Sequence, residues 1–132
     1  MNVSVSAQDL VAEARRSIVE VDVGAVQQRI DSGAVLVDVR ESAEFVVSRI
    51  PGAINIPRGV LEFEVLGNPA VGGVTTTELS RLSRPIVLYC RSGGRAALAA
   101  QSLQRMGFTN IASIAGGLTA WESSGYPIVT EK

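Results

Sequence analysis

Two short apolar runs constrain the fold of this chain more than any other feature of its sequence. Residues 34–39 read AVLVDV and residues 85–90 read PIVLYC, so both are apolar almost throughout. Runs of this length and composition are typical of parallel strands whose two faces are both covered. Polar or reactive side chains end each run, and ligands of open α/β sheets bind at the carboxyl ends of the strands. We therefore expect the functional site at these two strand ends.

Helical and extended segments alternate along the rest of the chain. Apolar spacing predicts helices at 7–19, 26–30, 42–47, 60–66, 96–106 and 118–123. Further short strands are expected at 19–23, within 50–57 and at 111–114, the first of them at a sheet edge. A surface loop at 67–77 is expected to lead into a helix capped by Thr77. This alternation predicts an α/β domain with a central, largely parallel five-stranded sheet and helices on both faces.

The composition of the chain excludes several kinds of site. It contains no histidine, and Cys90 is its one cysteine. A Ser-His-Asp triad, a Cys-His dyad, a histidine-ligated metal, an internal disulfide and a cysteine-cluster zinc site are therefore impossible. Lys and Arg total 12 while Asp and Glu total 13, so the net charge is −1 and no basic field attracts nucleic acid or an anionic membrane. We expect no metal, no cofactor, no nucleic-acid partner and no membrane partner.

The N-terminal residues 1–6 lack the basic and apolar regions of a signal peptide. No apolar run in the sequence approaches the ~20 residues that a membrane helix needs. Together with a lone thiol, these features lead us to expect a cytoplasmic protein.

Cys90 ends the second apolar run and is followed by a short polar loop and a predicted helix. The loop consists of Arg91, Ser92, Gly93, Gly94 and Arg95. A strand–loop–helix connection of this kind directs backbone N–H groups toward the last side chain of the strand. These N–H groups, the helix dipole and the two arginines would favour the thiolate form of Cys90 without any histidine. The alternative is an inert core cysteine, but a polar loop makes a poor wall for a core.

Four sequence motifs resemble, in order, the signatures of the rhodanese-like sulfurtransferases. The segment CRSGGRA that begins at Cys90 resembles the active-site loop of that family. The other three motifs are LVDVRE at 36–41 with EF at 44–45, IPGAINIP at 50–57, and GGLTAW at 116–121 followed by GYP at 125–127. The resemblance covers about residues 35–128. It implies a rhodanese-like domain at 21–132, preceded by an N-terminal helical extension at 1–20.

The resemblance implies that the protein transfers sulfur. Cys90 would attack the outer sulfur of thiosulfate or of a persulfide donor and become a persulfide. A thiophilic acceptor, either cyanide or a thiol of a small molecule or protein, would then remove that sulfur in ping-pong catalysis. Loop N–H groups would stabilise the partly anionic terminal sulfur. Arg91 and Arg95 are the candidate binding residues for an anionic donor, with Ser92, Gly93 and Gly94 completing the substrate loop.

Two alternative functions stay open at this point. The first is a sulfur-relay or regulatory binding module that exchanges sulfur with protein partners and turns over little thiosulfate and cyanide. The second is a phosphatase or arsenate reductase that uses the same cysteine. Four residues separate Cys90 from Arg95 in this chain. The related phosphatases of the same fold have one residue more, which gives a wider loop, so the resemblance favours sulfur over phosphate or arsenate.

Charged residues elsewhere in the motifs are expected to support the site rather than to bind substrate. Asp38 and Arg40 follow the first strand, where an ion pair and its hydrogen bonds would hold the central loops. Arg58 is expected near the rim of the site. Trp121 is expected to anchor the core.

Two pairs of residues complete the sequence-based expectations. Arg15 and Arg16 are expected to lie on an ordinary solvated face of the first helix. Ser48 and Arg49 stand where the family commonly carries Gly-His, which leaves the chemistry intact but the local loop structure open.

Overall fold

The structure is a computed structural model that describes residues 4–71 and 82–131, so the expected helix cap at Thr77 lies outside the described residues. The helices are α1 (Ala7–Arg15), α2 (Val23–Asp31), α3 (Ser42–Val47), α4 (Leu61–Glu64), α5 (Gly94–Arg105) and α6 (Gly117–Ser123). The strands are β1 (Val19–Val21), β2 (Val35–Asp38), β3 (Ser48–Arg49), β4 (Ile54–Asn55), β5 (Ile86–Tyr89), β6 (Ile111–Ile114) and β7 (Val129–Thr130).

Five of these strands form a parallel sheet in the order β1-β6-β5-β2-β4. The two apolar runs are neighbours at its centre, with Val35 opposite Ile86 and Asp38 opposite Tyr89. The predicted α/β class, the five-stranded sheet and the position of β1 at an edge are therefore confirmed. The carboxyl ends of β2 and β5 lie side by side, so Asp38 and Cys90, the residue after Tyr89, lie at the same edge of the sheet.

The two central strands are apolar throughout because both of their faces are buried. Successive side chains of a strand point to opposite faces of the sheet. Val37 and Leu88 accordingly pack into one apolar cluster with α5, whereas Leu36 and Val87 pack into a second cluster that contains Trp121. Trp121 is buried as predicted, and its indole N–H donates to the carbonyl oxygen of Pro127 at 2.7 Å.

Short elements account for most of the differences from the sequence-based expectations. Strands β3 and β7 pair antiparallel in a separate two-stranded ribbon that was not predicted. Each contributes only two residues, which is too short for a period of two to be recognised. The single helix expected at 60–66 is instead a 3₁₀ turn at Arg58–Val60 followed by the one-turn helix α4.

Helix α1 begins with a capping box, in which Ser6 accepts from the N–H of Asp9 and the Asp9 carboxylate accepts from the N–H of Ser6. It packs against α5, the helix that follows the Cys90 loop. The division of the chain at residue 20 stays a prediction, and β1 begins one residue before it. Within the described residues, no helix has the length and apolar character required to cross a membrane.

Candidate active site

Cys90 follows β5 directly and is 1% exposed. Its sulfur accepts two backbone hydrogen bonds, from the N–H of Gly93 at 3.1 Å and from the N–H of Ala96 at 3.4 Å. Both donors belong to the loop and first turn of α5, where the positive end of the helix dipole lies. N–H donors and a helix N-terminus stabilise a negatively charged sulfur better than a neutral one. The arrangement is therefore suited to hold an anionic sulfur atom.

The loop reaches this geometry because Gly93 adopts a left-handed backbone conformation with φ of 115°. L-residues with a side chain rarely adopt this conformation, whereas glycine adopts it without steric cost. The turn starts α5 at Gly94 and leaves the first N–H groups of the helix without intrahelical partners. One of these N–H groups, that of Ala96, is satisfied by the Cys90 sulfur.

The N-terminus of α6 fixes the other side of the loop. The N–H of Leu118 donates to the Cys90 carbonyl oxygen at 2.8 Å, and the N–H of Thr119 donates to the Arg91 carbonyl oxygen at 3.0 Å. Gly117 lies so close that a Cβ added to it would be 2.5 Å from the Cys90 oxygen. The GGLTAW motif therefore orients the peptide groups on either side of Arg91 by backbone contact.

Both arginines of the loop have carboxylate partners. Arg95 donates from Nη1 to Glu44 Oε1 at 2.7 Å and from Nη2 to Oε2 at 3.2 Å. These hydrogen bonds, together with one from the Glu41 N–H, lower the pKa of Glu44 to about 2. The hydrogen bond to Glu44 also raises the pKa of Arg95, and the electrostatic interaction with the nearby Cys90 acts in the same direction. Arg91 forms a longer pair with Glu122, at 3.4 Å, and Ser92 is exposed. Substrate binding by these loop side chains stays a prediction.

Asp38 and Arg40 form a fully buried ion pair with each other. Arg40 donates from Nε and Nη2 to the Asp38 carboxylate, with a shortest distance of 2.7 Å, and its backbone N–H also donates to that carboxylate. Asn55 donates to the carbonyl oxygens of both residues. Burial lowers the pKa of Arg40, but the hydrogen bond and charge of Asp38 outweigh this effect and raise it overall. Asn55 thus ties β4 to the end of β2, and Arg40 also donates to the Ser48 carbonyl oxygen of β3. The buried pair offers no exposed charge to a substrate.

Arg58 pairs with the Glu62 carboxylate at 2.8 Å and with the Ser102 hydroxyl at 2.9 Å. These contacts attach the segment after β4 to α5. The structure thus places the Cys90 loop against the start of α6. Arg58 is bonded to Ser102 of α5.

The structure also places one residue at the loop that the sequence reasoning assigned to a solvated helix face. The Nη2 nitrogen of Arg15 lies 3.0 Å from the position that a Cβ would occupy on Gly93. Arg15 belongs to α1, and its approach depends on how α1 packs against α5. Nothing in the local sequence distinguishes it from its neighbour Arg16, so only the tertiary structure reveals this contact.

The sequence matches the Rhodanese-like domain family over residues 22–124. The chain belongs to the rhodanese-like family. This rhodanese-like protein is 30% identical over 112 residues to a sulfurtransferase of Allochromatium vinosum, covering 83% of this chain and 94% of that one. It is 32% identical over 120 residues to a chloroplastic thiosulfate sulfurtransferase of Arabidopsis thaliana, covering 89% and 98% of the two chains.

Among solved structures, the rhodanese-like protein is similar to a protein of unknown function from Rhodopseudomonas palustris that is described as a possible tyrosine phosphatase. The TM-score is 0.77 at 30% identity, and 98% of each chain is covered. The sulfurtransferase relatives support sulfur transfer as the kind of chemistry. Because the Rhodopseudomonas palustris protein is described as a possible phosphatase, a test of function has to include phosphatase activity.

Proposed function

We propose that this protein is a sulfurtransferase that carries sulfur as a persulfide of Cys90. The observation that supports the proposal most strongly is the pair of N–H groups directed at the Cys90 sulfur from the start of α5. Such donors stabilise negative charge on a sulfur both before and after a second sulfur is attached. The similarity to sulfurtransferases over most of the chain points to the same chemistry.

In the first half-reaction, the Cys90 thiolate attacks the outer sulfur of thiosulfate. A bond forms between the two sulfurs, the S–S bond of thiosulfate breaks, and sulfite leaves with the bonding electron pair. In the second half-reaction, an acceptor such as cyanide or a thiolate attacks the terminal sulfur of the persulfide. The new bond to the acceptor forms as the Cys90 S–S bond breaks, and the thiolate is regenerated.

For the phosphatase alternative, Arg95 is the loop side chain whose guanidinium is suited to bind phosphoryl oxygens. In this protein both terminal nitrogens of Arg95 are hydrogen-bonded to Glu44. Recruiting Arg95 to a phosphate would first require this pair to break. The arrangement therefore favours sulfur transfer, in which the backbone N–H groups directed at Cys90 hold the anionic sulfur.

Two assays on the same preparation separate the functions. Sulfur transfer is measured as thiocyanate formed from thiosulfate and cyanide, and phosphatase activity as hydrolysis of an aryl phosphate. We expect turnover in the first assay and none in the second. Hydrolysis without thiocyanate formation would support the phosphatase alternative. Failure in both assays, combined with sulfur uptake from a protein persulfide, would support the relay module.

A further inference from the structure

A cleft lies between α1 and the Cys90 loop, residues 91–95. Its volume is about 380 Å³, within the ~300–1,000 Å³ typical of small-molecule sites. Its lining residues are Ala7, Gln8, Val11, Ala12, Arg15, Ser92 and Gly94. One wall therefore comes from the N-terminal helix, which precedes the residues that match the family, and the other comes from the loop that holds Cys90.

Among the residues that the structure describes, Arg15 is the one cationic side chain in the lining of this cleft. Its Nη2 nitrogen approaches Gly93, and Gly93 is the residue whose N–H donates to the Cys90 sulfur at 3.1 Å. The Arg15 guanidinium also pairs with Glu20, through Nε at 3.3 Å. The pair engages Nε, whereas the Nη2 nitrogen lies on the side of the Cys90 loop. The side chain is 43% exposed, so a ligand in the cleft can reach it.

Neither arginine of the Cys90 loop lines this cleft. Arg95 is held by Glu44 through both terminal nitrogens, and Arg91 pairs with Glu122. Glu20 is the acidic group that faces Arg15, and it is absent from the lining of the cleft. Among these three arginines, Arg15 is therefore the one that lines the cleft and has a terminal nitrogen near Gly93.

We propose that Arg15 binds the anionic group of a small-molecule substrate whose sulfur reacts at Cys90. This inference rests on the proposed sulfur transfer and adds a binding residue from outside the Cys90 loop, for a sulfonate or carboxylate close to the reacting sulfur. Gln8 and Ser92 offer hydrogen bonds in the same cleft, and Val11 offers an apolar contact. Both an anionic donor and an anionic thiol acceptor have this chemistry.

The first experiment compares wild type, Arg15→Ala and Arg15→Lys with Arg16→Ala, the matched control. Arg16 is the adjacent exposed arginine, so its loss changes the net charge equally. One charge-assisted contact at an open site is worth about tenfold in KM. We expect Arg15→Ala to raise KM for thiosulfate by this factor with little change in kcat. Arg15→Lys should lie between Arg15→Ala and wild type, and Arg16→Ala should match wild type.

The acceptor side is tested with 3-mercaptopropionate and the uncharged 2-mercaptoethanol. A KM increase in Arg15→Ala for thiosulfate alone assigns the cleft to the donor, and an increase for mercaptopropionate alone assigns it to the acceptor. Reaction with mercaptoethanol should change little in either case. Equal kinetics of Arg15→Ala and Arg16→Ala with every substrate would overturn the inference while leaving the proposed function intact.

A second measurement does not depend on sulfur transfer. Iodoacetate and iodoacetamide alkylate the same thiolate by displacing iodide, but only iodoacetate is an anion. We expect the ratio of their rates at Cys90 to fall several-fold in Arg15→Ala and to stay at the wild-type value in Arg16→Ala. If the wild type transfers no sulfur, the proposed function fails, and this ratio alone tests whether Arg15 attracts an anion to Cys90. An unchanged ratio then rejects its role.

Discussion

The carboxyl ends of β2 and β5 lie side by side in the sheet and carry opposite kinds of chemistry. At the end of β2, Asp38 and Arg40 are fully buried and hydrogen-bonded to each other. At the end of β5, Cys90 is buried among backbone N–H groups. The buried ion pair holds neighbouring segments together, because Arg40 also donates to the Ser48 carbonyl oxygen and Asn55 donates to the backbone of both partners. The N–H dipoles directed at Cys90 instead stabilise negative charge on its sulfur. The first end is a framework and the second is the proposed reaction centre.

The largest expected effect separates these two ends by function. Cys90→Ser removes the nucleophile but keeps a side chain of nearly the same size in the same N–H surroundings. We expect sulfur transfer to fall at least ~10³-fold, with thermal stability close to wild type. Thiocyanate formation and thermal unfolding of one sample measure both quantities. Retained turnover would mean that Cys90 is not the nucleophile, and a large loss of stability would mean that it is part of the framework instead.

The converse change targets the framework. Arg40→Ala leaves the buried carboxylate of Asp38 without its partner, and breaking a buried ion pair in this way costs about 3–5 kcal/mol. The matched control is Arg49→Ala, which removes a partly exposed pair with Glu131 and two long hydrogen bonds to the carbonyl oxygens of Phe45 and Val46. It leaves no buried charge unpaired and should cost less, about 1–2 kcal/mol. The free energy of unfolding from urea titration measures the difference. Equal losses in the two variants would contradict the structural role of the Asp38–Arg40 pair.

Gly117→Ala disturbs the contact that orients the Cys90 loop. The added Cβ would lie 2.5 Å from the Cys90 oxygen, at a residue with φ of +57°. Overpacking of this kind costs about 1–3 kcal/mol, and we expect sulfur transfer to fall further than stability because the loop must shift. Gly59→Ala is the control, since a Cβ there meets nothing within 4 Å. Parallel behaviour of the two variants in urea unfolding and turnover would exclude a role for this contact.

The smallest expected effect concerns the charges around the loop. Because Arg95, together with the Glu41 N–H, lowers the folded-state pKa of Glu44 from 4.5 to about 2, the bonded carboxylate stabilises the fold above pH 4.5. Its contribution is lost as the pH falls from 4.5 to about 2 and the carboxylate becomes protonated. Both side chains are more than a third exposed, so solvent screens the pair and keeps the effect small.

Glu44→Gln should remove this component of acid sensitivity. The free energy of unfolding, measured by urea titration across that pH range, should therefore decline less steeply in the variant than in wild type. Identical pH slopes would show that the Arg95–Glu44 pair contributes nothing to the acid response.

Local features of the sequence account for what it predicted well. The apolar runs specify β2 and β5 because both faces of these strands are buried. The position of Cys90 before two glycines and a helix start predicts the N–H groups around its sulfur, since this geometry arises within a few residues. Contacts between distant segments were not predictable in this way. Arg95 meets a carboxylate 51 residues away, and Arg15 reaches Gly93 only through the packing of α1 on α5.

The most direct test of the central claim is the intact mass of the protein after treatment with thiosulfate in the absence of an acceptor. We predict that wild type gains one sulfur atom, that cyanide removes it with formation of thiocyanate, and that Cys90→Ser gains none. Cys90 is the one cysteine of the chain, so the added sulfur has a single thiol on which to reside. An unchanged wild-type mass, or an equal gain in Cys90→Ser, would contradict a Cys90 persulfide formed from thiosulfate.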